Sequence, residues 1–226
     1  MRSEIVVPSG CTGVRIWTIS QTAAMVCFLA TLLPGVGWRP FHPSPLALLL
    51  VVAQPLVWSL APVSLWMASE CISSDFGKRW ARACVAISLV AWLTYDVAGL
   101  HRLASFGRSV TVMGISISSI VPFGWWARNL ELVATAVLML RLGAGNDTQG
   151  GTRSRWLNGL VACVCFAVAM QCAELLVFRY KFARGIMSTD RSVLLVLTAS
   201  SILMHVIQST STVAIGVLVR RRVCTT

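Results

Sequence analysis

The 226-residue chain is 56% hydrophobic and carries only 27 charged residues, 19 basic and 8 acidic, with a mean hydropathy of +0.76. Soluble chains average about 45–50% apolar and about 25% charged, so this composition excludes a water-facing globular surface and predicts an integral membrane protein of one domain, 1–226. A net charge of +11 would point to nucleic acid in a soluble protein. Here the basic residues fall mostly at the ends of apolar runs, where they meet headgroups and set orientation. The partner expected is therefore the lipid bilayer, and not nucleic acid.

Apolar runs between breakers predict helices, by length, over 16–36, 45–69, 80–100, 156–178 and 192–219. The first follows a short tail with Arg2 and Arg15 and ends at Pro34-Gly35 without a small-residue cleavage pattern, which reads as an uncleaved anchor. Pro55 and Pro62 punctuate the second. Between 105 and 142, Pro122-Phe123-Gly124 divides the apolar pattern into 105–122 and 125–142, each about 18 residues long. If both cross, the fold is an all-α polytopic membrane helical bundle of seven transmembrane helices. If the first half lies along the interface, there are six. Lys and Arg split 10 against 9 between the two sides for seven spans and 11 against 8 for six, which does not choose between them. Asn146-Asp147-Thr148, in a glycine-rich polar loop, matches a glycosylation triplet, a pattern frequent by chance. The eight cysteines show no metal spacing. Cys27, Cys84, Cys163, Cys165 and Cys172 lie inside apolar runs and are expected as packing thiols, without a disulfide framework.

An ionisable group inside a span costs about 2.5–3.5 kcal/mol on insertion scales, which makes it a functional candidate. Glu70, Asp96, Glu131, Glu174 and His205 qualify. In the seven-span arrangement Glu70, Glu131 and Glu174 share a side; in the six-span arrangement Asp96 takes the place of Glu70. Glu131 and Glu174 are together in both. Carboxyls gathered in a low-dielectric pocket disfavour one another's ionisation and keep one as a neutral acid, able to protonate an epoxide oxygen or an alkene. The structural alternative is an ion pair between Arg128 and Glu131, three residues apart on one helix. In the last helix Thr198, Ser201, His205, Gln208 and Thr212 recur at steps of three and four and form one polar face, turned into the bundle as interhelical glue or as a cavity wall. Cys163, Ala167, Gln171 and Glu174 form a second such stripe. If the two meet, Glu174, Gln171, His205 and Gln208 line one pocket. Of nine tryptophans, Trp38, Trp80, Trp125, Trp126 and Trp156 sit where interfacial belts are expected. Trp58, Trp66 and Trp92 lie inside spans, as core packing or as aromatic faces for a cation.

The third span reads Ala91-Trp92-Leu93-Thr94-Tyr95-Asp96-Val97-Ala98-Gly99-Leu100-His101, with Gly107 beyond it. This W-L-x-x-D segment closing a span resembles the small seven-helix integral-membrane terpene cyclases of fungal meroterpenoid and actinobacterial indole-terpenoid pathways. Arg141-Leu142-Gly143, Gly150-Gly151 and Arg155-Trp156 are a weaker echo of that family's glycine-rich loop before a tryptophan-led span. The resemblance implies cyclisation of a prenylated, farnesyl-type aromatic or indole substrate, begun by a buried carboxylic acid, with no metal and no other cofactor. The matching positions are Trp92 and Asp96, then Glu70 after Trp66. Two departures are plain: three residues separate Trp66 from Glu70, and the last helix offers His205 where the family carries an aspartate. The expected catalytic set is Glu70, Asp96, Glu131, Glu174 and His205, and the expected substrate-binding set Trp66, Trp92, Gln171, Ser201 and Gln208. The setting is a bacterial cell membrane or a fungal endomembrane. The alternative is a permease subunit or immunity-type membrane protein without catalysis, for which Pro55 and Pro62 suit a helix broken around a site.

Overall fold

The computed structural model describes residues 9–31, 45–70, 72, 74–97, 111–112, 115–144, 152–183 and 191–224. Six long helices make up nearly all of it: α1 (Ser9–Thr31), α2 (Pro45–Ser69), α3 (Asp75–Ala91), α4 (Ile117–Ala144), α5 (Thr152–Ala183) and α6 (Arg191–Val223). A short antiparallel pairing of β1 (Thr111–Val112) with β2 (Ile115–Ser116) leads into α4. Each helix packs on its neighbours in sequence, α6 closes back on α1, and α4 also meets α6. Four helical stretches, 10–30, 75–97, 155–177 and 196–223, are long and apolar enough to cross a bilayer. Helix α2 adds 25 residues without a charge. Large apolar side chains such as Leu49, Leu56, Val63, Leu93, Leu176 and Val196 are exposed on the outer faces, the arrangement of helices whose surroundings are apolar on all sides.

The element between 98 and 144 differs from the seven-span expectation. A helix over 105–122 is not formed, because 111–112 and 115–116 are paired as strands and 117–122 belong to α4. The rest of that expected span lies outside the described residues. Pro122-Phe123-Gly124 does not end a helix. Pro122 sits in the second turn of α4, where its missing N–H leaves out the backbone bond that would reach Ser118 while the helix continues. Gly124 is a contact residue: a Cβ there would lie 2.4 Å from the Thr94 carbonyl carbon and oxygen. The bundle among the described residues is therefore six-helical. An even number of long helices brings the start of α1 and the end of α6 to one end, where Cys11 and Cys224 form a disulfide with a Cα–Cα separation of 5.2 Å. That bond was not expected from the cysteine pattern. Two cysteines 213 positions apart share no local spacing, whereas Cys27, Cys84, Cys163, Cys165 and Cys172 are free thiols as anticipated.

The interior is divided along the bundle. Toward the Cys11 end it is an apolar core built from Val14, Trp17, Leu65, Leu138, Met139, Val164, Ile215 and Val219. Gly13 lets α1 lie against the α2 backbone there, since a Cβ would come 2.4 Å from the Ala68 nitrogen. Helix α3 starts in this half with Ser74 as its N-cap, the hydroxyl accepting from the Gly77 N–H at 3.1 Å, and with Asp75 in the first turn, where its charge complements the helix dipole. Toward the other end the buried residues become polar: Gln21, Asp96, Arg128, Asn129, Glu131, Gln171 and Gln208.

Candidate functional site

The polar half is organised by the end of α3. Over Trp92–Val97 the helix widens to a π segment, a distortion that shifts the register of later side chains and recurs at functional sites. It carries Asp96 to the inside, 6% exposed, opposite α4. Trp92 secures the segment by donating its indole N–H to the Pro55 carbonyl of α2 at 2.9 Å.

Arg128 of α4 binds both acids that face it, one guanidinium nitrogen pairing with Asp96 and another with Glu131 one helical turn away. The Ser88 hydroxyl donates to the second oxygen region of this cluster, Glu131 Oε1, at 2.5 Å. The guanidinium carbon lies 4.2 Å from the ring centroid of Trp58, a cation–π contact. The Arg128 Nε–H is buried and without a partner among the described residues. Asp96 and Glu131, expected as acids, are thus brought together as joint partners of one arginine. The Arg128–Glu131 ion pair expected from their spacing is present.

A cavity of about 110 Å³ adjoins the cluster, enclosed by α1, α2, α4, α5 and α6. Arg128 lines it, along with Gln21, Gln54, Asn129, Gln171, His205 and Gln208, and with the aromatic walls Phe28, Trp58, Tyr95 and Trp125. The two polar stripes meet, the Gln171 side-chain amide donating to Gln208 Oε1 at 2.8 Å, but Glu174 does not line this cavity, so the four residues expected in one pocket are divided between two spaces. The His205 ring stacks on Phe28 with centroids 5.3 Å apart, and its Nδ1 lies 2.8 Å from the Ser201 carbonyl. A carbonyl only accepts, so Nδ1 carries a proton and Nε2 is the ring nitrogen left to other partners.

On the outer side of His205 a groove of about 360 Å³ opens between α5 and α6. Its walls are Trp125, Gln171, Glu174, Leu175, Leu197, Thr198, Ser201, Ile202 and His205. Glu174 is held by the Ser200 hydroxyl, which donates to its Oε1 at 2.5 Å. Trp125, Gln171 and His205 belong to both linings and form the partition between groove and cavity.

Glu70 closes α2 at the opposite end of the bundle, exposed and apart from both spaces, and Trp66 is 54% exposed on the outer face of α2. Trp92 lines neither space and serves α2–α3 docking. Asp96, Glu131 and Glu174 share the same half and Glu70 is the outlier. Sequence reasoning did not single out Gln21, Gln54, Tyr95 or Asn129 as lining. A signal existed for Gln54, the one amide in a 25-residue run free of charge. Among the described residues no three His, Cys, Asp or Glu side chains converge in a metal-binding group. No protein-family model, no curated protein and no solved structure matches the chain.

Proposed function

We propose that the chain is a multi-pass integral membrane protein that takes a lipid-soluble, prenylated small molecule into the groove between α5 and α6 and cyclises it by proton transfer from Glu174. The observation that supports this reading is the placement of Glu174. Among the expected acids it is the one that lines a groove of ligand size, within the range of about 300–1,000 Å³ usual for small-molecule sites. Asp96 and Glu131 are occupied by Arg128 and do not line that groove.

In the proposed step the protonated Glu174 carboxyl gives its proton to a terminal epoxide oxygen or alkene of the substrate. The cation that forms is attacked by the next double bond as the ring closes, and loss of a proton from the final cation completes an isomerisation. The Ser200 hydroxyl stabilises the Glu174 carboxylate left behind. His205 Nε2 accepts the departing proton, its tautomer set by the bond from Nδ1 to the Ser201 carbonyl. Trp125 offers a π face to the developing cation, and Leu175, Leu197 and Ile202 take the isoprenoid chain.

The test is conversion of a farnesylated indole and a farnesylated aromatic, each with a terminal epoxide, in membranes holding the protein. Glu174→Gln is expected to lower product formation at least a hundred-fold, within the range attributed to general acid catalysis, with protein abundance unchanged. Full activity in that variant sinks the assignment.

A second reading, a carrier without catalysis, draws on the shared partition of Trp125, Gln171 and His205, which sets the outer groove against the inner amide-lined cavity. It calls for passage of an unchanged solute across proteoliposomes, blocked by Gln171→Leu.

A further inference from the structure

We propose that a second groove, between the start of α5 and the end of α6, binds one anionic phospholipid, with its phosphate on arginines at the Cys11 end and an acyl chain along an apolar floor. This rests on the chain spanning a membrane and is independent of the chemistry proposed for Glu174. The groove measures about 740 Å³ and is lined by Trp156, Leu160, Ala214, Val217, Leu218 and Arg221.

Its chemistry changes abruptly along both helices. Helix α6 is apolar or small through Ala214–Val219 and then turns to Arg220-Arg221-Arg222. Helix α5 opens with Arg153 and Arg155 directly before Trp156. Neither 152–160 nor 214–224 contains an acidic residue. The dipole ends of the two helices oppose each other here, the start of α5 positive and the end of α6 negative, so the arginines decide the sign of the field. From Ala214 to Arg221 the helix rises about 10 Å. A ligand that satisfies both ends of the groove therefore needs an anionic head and an apolar tail, which is the chemistry of an acidic phospholipid and not of a soluble phosphate.

Two details shape the fit. Arg222 turns inward and donates to the Gly143 carbonyl, fixing the last turn of α6 against the end of α4, while Arg155, Arg220 and Arg221 are exposed. Trp156 is 68% exposed at the boundary between the arginines and the apolar floor, where an indole is suited to the headgroup level. Basic residues at such a surface favour acidic over neutral lipid, and Arg155, Arg220 and Arg221 supply them at the two helix ends.

The experiment is native mass spectrometry of the delipidated full chain in detergent, titrated with phosphatidylglycerol or with phosphatidylcholine of the same acyl composition. One phosphatidylglycerol is expected to be retained at a concentration at least ten-fold lower than phosphatidylcholine requires. The surface variant Arg220→Gln/Arg221→Gln is expected to lose that preference. Ala214→Phe, which fills the floor, and the milder Ala214→Val are expected to weaken phosphatidylglycerol retention in proportion to the volume added, and Glu174→Gln to retain it as the wild type does. Equal retention of the two lipids by the wild type, or an unchanged preference in the arginine variant, overturns the proposal. Competition by soluble glycerol 3-phosphate at equal concentration overturns it as well, since the acyl chain would then contribute nothing.

Discussion

Two carboxylates share one guanidinium where α3 meets α4, and the physical terms around Arg128 oppose each other. Removing charges from water costs several kcal/mol per ion, and their attraction offsets it only when the remaining lone pairs and protons are satisfied. Asp96, Glu131, Ser88 and the face of Trp58 supply most of that satisfaction. Arg128→Leu leaves two buried carboxylates without a counter-charge and is expected to lower stability by about 3–5 kcal/mol, read as a fall in Tm in detergent. Asp96→Asn/Arg128→Leu/Glu131→Gln removes the charges together and is expected to recover most of that loss. A triple variant no more stable than the single one would mean that packing, not charge, holds the cluster. Arg128→Lys is not a conservative control, because a single ammonium cannot reach both acids in the forked geometry of a guanidinium. Part of this cluster is legible in the sequence. The spacing of Arg128 and Glu131 announces their pairing, and Asp96 stands out as a charge inside a span. Their meeting does not, because it depends on a π segment whose only trace in the sequence is an ordinary Trp-Leu-Thr-Tyr-Asp-Val run.

Among the elements, α4 shows why glycine and proline resist reading from sequence alone. Pro122-Phe123-Gly124 has the composition of a break, yet the helix runs through it from Ile117 to Ala144. The reason is tertiary: Gly124 gives up its side chain so that the π segment can approach, a contact invisible to local propensity. Gly159 in α5 looks equivalent in sequence and meets nothing within 4 Å. The two alanine substitutions are therefore expected to differ in sign. Gly124→Ala drives a methyl into the Thr94 carbonyl and is expected to destabilise by about 1–3 kcal/mol, the usual scale of overpacking. Gly159→Ala is expected to be neutral or to stabilise by up to about 1 kcal/mol through helix propensity. Thermal unfolding of the pair, side by side, checks this. The other helices were easier to read, since 45–69 coincides with α2 and the remaining expected spans overlap α1, α3, α5 and α6. There, long apolar runs leave the chain little alternative, and only the ends, where α5 and α6 continue into charged turns, escape a hydropathy reading.

For the whole molecule, the interior is divided into an apolar half and a polar half. The half near Cys11 holds the dense core, and the half that contains the cavity and the Glu174 groove is cross-linked by ions and amides. The disulfide acts on the first of these. In the chain-entropy account a loop of this length constrains the unfolded chain by up to roughly 5 kcal/mol. Cys11→Ser and Cys224→Ser are expected to lower Tm equally, and the double variant no further than either. A reductant is expected to lower the Tm of the wild type and leave all three variants unmoved. A variant that still responds to reductant would point to a different pairing.

The same bond changes what kind of object the polypeptide is. Between Cys11 and Cys224 the backbone and the disulfide form a closed covalent circuit through all six helices. Cutting any one peptide bond in that circuit opens a ring and releases nothing. A protease that cleaves once, in any connection between helices, is expected to leave a product of nearly unchanged mass on a non-reducing gel and two fragments on a reducing one. The order of the helices along the chain is then a matter of where the ring is opened.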